Sequence, residues 1–465
     1  MRAPTDSARP DSAAPNVLLV VMDTARADAF EPYTAPAGSS PAVADLASRG
    51  RAFRHVYSTA NWTVPSHASM LSALQPGAVG LGQVPGGPLQ CRPVLSSLRP
   101  RLLPEVLRKS GYAASGVSTN LWVTDKTGFD TGFDRFEVVT ADRDTHLHSS
   151  RLKHRVGWDL ENVLARRDDG AFECERILRG WLDEKDDRPF FWFVNLTECH
   201  SPYLPPRPYN DLGLVGRLRA AEEARRYLNL GAIWRVCLGG ATIPRRTVER
   251  MRHLYRQSIK YMDDWLARVL ELLETRKLLD DTVVIVTSDH GENLGESNLI
   301  GHAFSLDDRL IRVPFVSSHA GLFEGATNSL ADLPAAICDL AGIEDHPYDG
   351  DGSVDGIAVA EMERLTEPTD PRAEEVSKSW ELGEDGFHRL TSSGWCACDG
   401  RYKLVEIGGQ EVLYDVVFDP LETRPTSVGV STDGHMEAVA AKLRVAAQRV
   451  MAGSVHSPRA PEPGP

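Results

Sequence analysis

The chain has 465 residues, of which 42% are hydrophobic and 25% are charged, as in ordinary soluble globular proteins. Its 65 acidic residues outnumber 51 Lys and Arg residues, which leaves a formal net charge of −14. Such an excess of negative charge repels a polyanion, so we expect no nucleic-acid partner. The length suffices for about three domains or for one large α/β enzyme.

The cysteines and the chain ends suggest a compartment. Seven cysteines, scattered from Cys91 to Cys398, do not form the pattern of a disulfide framework. The polar first residues lack the apolar stretch of a secretory signal, and no apolar run is long enough to cross a bilayer. We therefore expect reduced thiols, a cytoplasmic location and no membrane partner. Residues 1–14 and 453–465 are expected to be disordered.

Four short apolar runs predict the strands of a central sheet; they lie at residues 16–22, 190–196, 282–287 and 313–317. Continuous apolar runs of this length are typical of parallel strands that are buried on both faces. Apolar residues at helical spacing predict helices between them, at residues 41–48, 101–109, 172–184, 247–273 and 330–340. This alternation predicts an α/β fold with a doubly wound, mainly parallel sheet flanked by helices.

The same patterns suggest how the chain is divided. We expect residues 15–343 to form a catalytic domain, with an insertion at about 201–246 that covers the site and sets substrate choice. Residues 344–384 are acidic and rich in Gly, Pro and Ser, which predicts a solvated linker or insertion. Alternating apolar residues and a last helical stretch predict a small C-terminal α+β subdomain with an antiparallel sheet at residues 385–452.

Two of the predicted strands are followed by side chains that can bind a metal. Asp23 follows the first strand, and Asp289 and His290 follow the strand at residues 282–287. Because ligands bind at the carboxyl ends of parallel strands, we expect these side chains at one edge of the sheet. Carboxylates and an imidazole suit a divalent cation such as Mn, Mg, Ca or Zn. Each Asp taken alone is also a common helix cap or turn residue.

The segment ANWTVPSHASML, at residues 60–71, predicts a loop that enters a helix, with Thr63 just before the helix begins. The start of a helix presents unpaired N–H groups and a partial positive charge, which lowers the cost of an alkoxide there. A Thr63 hydroxyl in this position is suited to attack phosphorus or sulfur. Alternatively, Thr63 or Ser66 simply caps the helix.

Several of these segments together resemble the sulfatase branch of the alkaline phosphatase superfamily. The resemblance lies in NVLLVVMDTARAD, WTVPSHASMLSALQPG, NLTECHSPY, VVIVTSDHGENLGE, IGHAFSLDDRLIRVPFV and LYDVVFDPLET, which follow one another in the family's order. So many motifs in one chain form a specific signal. The resemblance implies an alkaline-phosphatase-like fold with a small C-terminal subdomain.

The resemblance also implies roles for the residues at the strand ends. Asp23, Asp289 and His290 match metal ligands, and Thr63 matches the nucleophile, which also touches the metal. His67 lies where sulfatases usually place the arginine that steadies the nucleophile. One divalent ion is expected, and a second ion is the alternative.

Three further residues are implied to contact the substrate. His200 and His302 match residues beside the oxyanion or the leaving group, and Asn120 lies in the segment corresponding to a family segment that supplies substrate contacts. Each histidine has a plainer interpretation as a loop residue. Glu198 and His200 do not reproduce the ligand spacing of a second metal site, so His302 is the expected extra ligand if two ions bind.

Thr63 departs from the sulfatase pattern. Sulfatases carry Cys or Ser at this position and oxidise it to formylglycine, whose hydrate is the nucleophile. Threonine cannot form that aldehyde, so we expect no formylglycine, and a second nucleophile must discharge a Thr63 ester. His290 replaces the family's usual Asn, and the Gly-Lys-Trp-His-type segment is missing. The pattern is therefore nearer to phosphodiesterase-like and phosphonate-monoester-hydrolase-like relatives.

The sequence thus predicts a metal-dependent hydrolase of small-molecule phosphate-type esters, acting on a phosphodiester, a phosphonate or a phosphate monoester through a covalent Thr63 intermediate. The first alternative is a transferase on the same fold that moves a phosphoryl, sulfuryl or sulfamoyl group to an acceptor in biosynthesis. The second is an inert binding protein. The substrate, the identity of the metal and the oligomeric state, a homo-oligomer included, stay open.

Overall fold

A computed structural model describes residues 14–81, 90–139, 163–348, 352–429 and 434–453. The strands are β1 Asn16–Met22, β2 Arg51–Ala52, β3 Val56–Tyr57, β4 Ala113–Ser118, β5 Arg135–Val138, β6 Phe190–Leu196, β7 Thr282–Thr287, β8 Asn293–Leu294, β9 Ile300–Gly301, β10 Phe315–Ser317, β11 Asn328–Ser329, β12 Ser353–Val354, β13 Ile357–Met362, β14 Gly394–Cys398, β15 Tyr402–Ile407, β16 Gln410–Asp415 and β17 Thr426–Ser427. Apart from residues 14 and 453, the predicted disordered ends, 1–14 and 453–465, lie outside the described residues.

The helices surround these strands. They are α1 Pro41–Arg49, α2 Thr63–Ser72, α3 Pro76–Val79, α4 Cys91–Ser97, α5 Leu103–Lys109, α6 Ala171–Asp183, α7 Leu214–Tyr227, α8 Leu230–Cys237, α9 Arg245–Thr275, α10 Asp308–Ile311, α11 Leu333–Leu340, α12 Pro371–Trp380, α13 Glu384–Thr391 and α14 Gly434–Gly453. Short 3-10 turns lie at Ala27–Ala29, Arg99–Arg101, Glu296–Asn298 and Leu330–Asp332. No described helix has both the length and the apolar character needed to cross a lipid bilayer.

The large sheet has seven strands in the order β2-β10-β7-β1-β6-β4-β5. Strands β7, β1, β6, β4 and β5 run parallel, and Val20 at the centre of β1 pairs with Val194 of β6 and Val286 of β7. The predicted α/β fold with a mainly parallel sheet is therefore confirmed. Every residue of β1 is buried, since both faces of the sheet are covered.

The run at residues 313–317 is the exception among the predicted parallel strands. It forms β10, which pairs antiparallel with β7 and with β2. A parallel return needs a crossover of a dozen or more residues, usually a long helix. The connection from β7 to β10 contains only short elements, with the four-residue helix α10 as its longest α-helix. The chain therefore returns beside β7 in the opposite direction.

A second, six-stranded sheet runs antiparallel in the order β12-β13-β14-β15-β16-β17, and α14 packs on one of its faces. The predicted C-terminal antiparallel sheet is thus present. The solvated linker predicted at residues 344–384 is wrong for β13, whose apolar run IAVAEM is almost wholly buried in this sheet. The acidic residues around β13 conceal this short run in the average composition. The boundaries of the domains stay a prediction.

Contacts at Thr59 and Glu361 join the two sheets beside the site. The backbone N–H of Glu361 donates to the carbonyl of Thr59, at 2.8 Å, just before the loop that enters α2. On the other side, Leu310 and Ile311 of α10 pack into the apolar cluster beneath β14. The second sheet therefore supports the segment that enters α2 and the segment that follows the carboxyl end of β7.

Candidate active site

The carboxyl ends of β1 and β7 bring three potential ligands together. Asp23 follows β1 directly, and Asp289 and His290 follow β7 by two and three residues. Because β1 and β7 are parallel neighbours, these ends lie side by side. Ligand atoms from the three side chains lie within 4.8 Å of one another, and all three residues are fully buried. The three side chains that the sequence predicted at one edge of the sheet therefore do lie together.

The Asp23 carboxylate is held on one side only. Its Oδ2 accepts a hydrogen bond from Nδ2 of Asn120 at 2.5 Å. Its Oδ1 is buried and has no hydrogen-bond partner among the described residues. Burial raises the pKa of Asp23 well above its usual value, and the nearby charge of Asp289 adds to this effect. A negative charge here needs a positive partner.

The Asp289 carboxylate has the same asymmetry. Its Oδ1 accepts from the backbone N–H groups of Thr24 at 3.2 Å and of His290 at 2.8 Å. Its Oδ2 lies 3.3 Å from Nε2 of His290 and 3.4 Å from Nδ1 of His67, but it has no hydrogen-bond partner within the described chain. One oxygen is thus fixed by the backbone and the other faces the centre of the cluster.

His290 presents the lone pair of a neutral imidazole to the same point. Its Nδ1 lies 2.9 Å from the carbonyl oxygen of Gly291, an acceptor, so Nδ1 carries the proton and Nε2 does not. Burial lowers the pKa of His290 to about 4, which keeps the ring neutral near pH 7. A hydrogen bond from the second ring nitrogen to a carbonyl is the usual support of a metal-binding histidine.

These groups fit a divalent cation. Two unpaired carboxylate oxygens, Asp23 Oδ1 and Asp289 Oδ2, and one neutral nitrogen, His290 Nε2, are a donor set that Mn, Zn, Mg or Ca accepts to differing degrees. Burying unpaired carboxylate oxygens is costly unless a positive charge compensates. Over the described ranges this is the one cluster of three such ligands that the structure contains.

Thr63 lies beside this cluster, at the first residue of α2 rather than just before it. Its Oγ1 is 3.3 Å from Nε2 of His290. The cap residue is Trp62, and the hydroxyl of Ser66 donates to the carbonyl of Asp289 at 2.6 Å. The plainer alternative, in which Thr63 or Ser66 caps the helix, is therefore wrong.

His67 supports the first turn of α2, which carries Thr63. It is fully buried one helical turn after Thr63, and its Nδ1 lies 3.0 Å from the Thr63 carbonyl oxygen and 3.4 Å from Asp289 Oδ2. Burial lowers the pKa of His67, against the raising effect of Asp289. Its contact is with the backbone of Thr63, so it orients the turn and does not touch the hydroxyl.

His200 and His302 lie on the cleft side of the cluster. Their ring centroids are 5.2 Å apart, and that of His302 is 4.6 Å from the ring of His290. Nδ1 of His302 is 3.4 Å from Oε1 of Glu292, and Nδ1 of His200 is 3.0 Å from the carbonyl of Ser201. Both residues line the cleft together with Thr63, and their contact with the substrate stays a prediction.

Asn120 and Glu198 each have a structural contact beside the cluster. Asn120 lines the cleft, but its Nδ2 binds Asp23 and its Oδ1 accepts from the N–H of Trp122 at 2.6 Å. It therefore positions a ligand, and its contact with substrate stays a prediction. Glu198 accepts from the N–H groups of Asp169 and Ala171 at the start of α6, so it serves as a cap rather than as a second metal ligand.

Sequence reasoning missed Glu292 as a site residue. It is fully buried, contacts His302 and follows His290 by two residues in the SDHGE segment. That spacing was visible, but a loop residue's contact with a histidine ten positions later depends on the β8–β9 hairpin that folds the loop back. Its Oε1 lies 3.4 Å from Nδ1 of His302, so it helps to orient that ring.

The cluster opens into a cleft of about 240 Å³. Trp62 and Trp122 form one part of its wall, with ring centroids 5.9 Å apart and planes at 89°. The predicted insertion at residues 201–246 contributes Leu228, Leu230, Ile233 and Trp234. Insertion residues thus line the cleft, as expected from its place beside a strand end.

The sulfatase family model matches residues 15–343. The chain therefore belongs to the sulfatase family, and its predicted place in the sulfatase-like branch of the alkaline phosphatase superfamily is confirmed. It is 24% identical over 440 residues to the choline-sulfatase of Rhizobium meliloti, covering 88% of this chain and 81% of that protein. It is 26% identical to a multifunctional alkaline phosphatase superfamily protein of Trinickia caryophylli, covering 72% of this chain and 75% of the relative.

Solved structures support the same fold. The phosphonate monoester hydrolase of Agrobacterium radiobacter matches with a TM-score of 0.64 and 20% identity, over 95% of this chain and 96% of that one. The phosphonate monoester hydrolase of Silicibacter pomeroyi matches with a TM-score of 0.62 and 19% identity, over 95% and 96%. The predicted alkaline-phosphatase-like fold is thus confirmed.

Proposed function

We propose that the chain is a metal-dependent hydrolase of a monoanionic phosphonate, phosphodiester or sulfate ester that acts through a covalent ester of Thr63. The observation that carries this proposal is the position of the Thr63 hydroxyl, 3.3 Å from His290 Nε2, beside the two carboxylate oxygens without partners. A cation bound there would polarise the ester's oxygens and lower the cost of a Thr63 alkoxide.

Thr63 is placed to attack. Its oxygen forms a bond to phosphorus or sulfur, the bond to the alcohol oxygen breaks, and an ester of Thr63 remains. The N–H groups in the first turn of α2 favour negative charge on the attacking oxygen. His67, through the Thr63 carbonyl, fixes the turn from which the hydroxyl projects.

His302 is placed to move protons at the cleft side. With Nδ1 directed at Glu292, its Nε2 is the nitrogen that donates a proton to the leaving alcohol. The same nitrogen then accepts a proton from the water that attacks the Thr63 ester. The buried carboxylate of Glu292 faces this ring when it is protonated, before the first step and again after the second. His200 is the second candidate for this role.

The charge of the site supports a monoanionic substrate. Among the described residues that line the cleft, none is a lysine or an arginine. Two carboxylates already offset the charge of one divalent cation, so a dianionic phosphate monoester has little positive charge to meet it. Sulfate esters, phosphodiesters and phosphonate monoesters carry one negative charge. The names of the choline-sulfatase and the phosphonate monoester hydrolases agree with this class.

Transfer to an acceptor is the second candidate. A Thr63 ester cannot be released by the elimination available to a formylglycine hydrate, so an external nucleophile must discharge it. The cleft of about 240 Å³ has room for an acceptor alcohol or amine in place of water. Labelled water distinguishes the two reactions, because hydrolysis places the label in the released oxyanion and transfer does not.

A panel of phosphate monoesters, phosphodiesters, phosphonate monoesters and sulfate esters tests the proposal. We expect turnover of at least one monoanionic class with a divalent metal present, and a loss of at least about 10³-fold in the Thr63→Ala variant. The Thr63→Ser variant keeps a hydroxyl and is expected to retain measurable turnover. Unchanged turnover in Thr63→Ala would refute the nucleophile, and a preference for phosphate monoesters would refute the charge argument.

A further inference from the structure

Three tryptophans of the cleft wall are unexplained by the chemistry at Thr63. Trp62, Trp122 and Trp234 all line the cleft, and each is partly exposed there. Tryptophans expected only to fill a core are buried, as Trp265 is in this chain. Large apolar rings that remain exposed in a concave site are typical of a surface that binds a ligand.

Two of these tryptophans are linked through their backbone to residues of the reacting centre. Trp62 directly precedes Thr63. The N–H of Trp122 donates to Oδ1 of Asn120, whose amide group in turn holds Asp23. These links place both tryptophans in the wall of the same small cleft that contains Thr63 and His302, within which the alcohol part of an ester must lie.

Trp234 packs against the segment that carries His302. Its ring packs edge to face against Phe304, with centroids 6.2 Å apart and planes at 79°, and Phe304 is two residues after His302. Leu228, Leu230 and Ile233 extend the apolar surface around it. The Trp234 ring is therefore part of an apolar wall that is packed against the segment carrying His302.

We infer that the alcohol part of the substrate carries a flat, uncharged aromatic ring that packs against Trp62, Trp122 and Trp234. This inference rests on the proposed function, since it requires the ester group to lie at Thr63. Rings pack against tryptophan in offset or edge-to-face geometry, and such pairs add attraction beyond the area that they bury. An anionic ring is disfavoured, because the ionisable carboxylate in the wall is that of Asp169 and the described lining contains no lysine or arginine.

A matched set of esters tests the inference. Benzyl, cyclohexylmethyl and 2-(trimethylammonio)ethyl esters of methylphosphonate and of sulfate share a reacting group, and their alcohols are all weakly acidic. We expect kcat/KM for the benzyl ester to exceed that for the cyclohexylmethyl ester by about fivefold or more. Equal values would overturn the inference, and so would a preference for the trimethylammonium ester, which would indicate a cation-binding wall.

Variants of the wall locate the preference. Trp122→Leu and Trp234→Leu remove a ring but keep an apolar side chain, and we expect each to reduce the benzyl preference to about twofold or less. Trp122→Phe, which keeps a ring, should recover much of it. Trp380→Leu, at a separate surface pocket, is the matched control and should leave the preference unchanged. A preference that persists in both Leu variants would contradict the inference.

Binding separates this inference from the proposed function. The Thr63→Ala variant, loaded with Mn²⁺, should bind benzyl methylphosphonate more tightly than the cyclohexylmethyl ester by a similar factor in calorimetry. If that preference appears while the wild type turns over neither ester, the proposed function fails and the aromatic wall stands. If the wild type turns over all three esters at equal kcat/KM, the proposed function stands and the aromatic wall fails.

Discussion

Two groups of buried charged side chains differ in how their charges are balanced. At the carboxyl end of the large sheet, Asp23 and Asp289 each keep one buried oxygen without a hydrogen-bond partner among the described residues. Beneath the second sheet, the buried ammonium of Lys403 lies 3.0 Å from both carboxylate oxygens of Glu422 and 3.3 Å from Oδ1 of Asp308. The first group lacks a positive charge, and the second contains its own.

This difference separates a site from a structural contact. The buried Lys403 ammonium and its two carboxylates balance one another's charge, so this group has no unpaired charge to attract a ligand. The contact of Lys403 with Asp308 holds α10 against the second sheet. Buried carboxylates without partners raise the free energy of the folded chain until a cation binds. The comparison predicts that changes in the first group alter metal binding and turnover, whereas changes in the second alter stability.

The largest expected effect is on the first group. Asp289→Asn removes the charge of a ligand that the backbone otherwise holds in place, so we expect loss of stoichiometric metal and a fall in turnover of about 10³-fold or more. Metal analysis and steady-state kinetics measure both. The control is Asp263→Asn, a buried carboxylate that accepts from the N–H groups of Ala42 and Val43 at the start of α1. Full metal content in Asp289→Asn would contradict the comparison.

A change in the second group, that of Lys403, Glu422 and Asp308, should alter the stability of the fold. Lys403→Met leaves Glu422 and Asp308 buried without their cation, so we expect the free energy of unfolding to fall by about 3 kcal/mol. The proximity of Glu422 and Asp308 outweighs burial and raises the pKa of Lys403, so the charge is present across the neutral range. Denaturant unfolding measures the loss. Metal content per folded molecule should not change, and a variant that unfolds at the wild-type midpoint would remove the contrast.

Glu361, which lies where the two sheets meet, is a buried carboxylate whose effect on stability should depend on pH. Burial raises its pKa to about 7 from a usual value of 4.5, so the folded chain binds a proton that the unfolded chain has released. The free energy of unfolding should therefore decrease as pH rises from about 4.5 to 7, by up to about 3 kcal/mol relative to Glu361→Gln. Glu363→Gln, at an exposed neighbour, is the control. Parallel pH profiles for wild type and Glu361→Gln would count against this assignment.

The smallest expected effect is that of Asp23→Asn on the free energy of unfolding, and its sign should depend on whether metal is present. With a chelator present, Asp23→Asn removes a buried carboxylate whose Oδ1 has no hydrogen-bond partner among the described residues, so we expect the free energy of unfolding to rise by about 1 kcal/mol. With saturating Mn²⁺ the same variant should be less stable than the wild type, because binding to the folded state is lost. Thermal unfolding in both conditions tests this. A variant that is destabilised equally in both would indicate a purely structural Asp23.

The strands that carry the site were predictable because each is encoded by a short continuous run of apolar residues. The apolar runs of β1 and β7 and the polar residues after them placed Asp23, Asp289 and His290 at one edge before any geometry was known. The direction of β10 was not predictable from its composition, because a buried antiparallel strand and a buried parallel strand can share the same apolar run. Direction depends on the connection that precedes it.

Contacts made across long separations also escaped prediction. Glu292 reaches His302 only because β8 and β9 form a hairpin, and Trp234 reaches the cleft only because the insertion folds over the strand ends. The strand β13 was hidden by the acidic residues around it. Motif spacing therefore predicted the cluster of Asp23, Asp289 and His290, while the contacts around the cluster and along the cleft depend on tertiary packing.

The most direct measurement is acid quenching of the metal-loaded protein during turnover of a phosphonate or sulfate ester, followed by peptide mass spectrometry. If a covalent ester of Thr63 forms, the peptide containing Thr63 gains the mass of the transferred group in the wild type, and the same peptide from Thr63→Ala does not. A Thr63 peptide that stays unmodified throughout turnover, or a modification on another residue, would contradict the proposed ester.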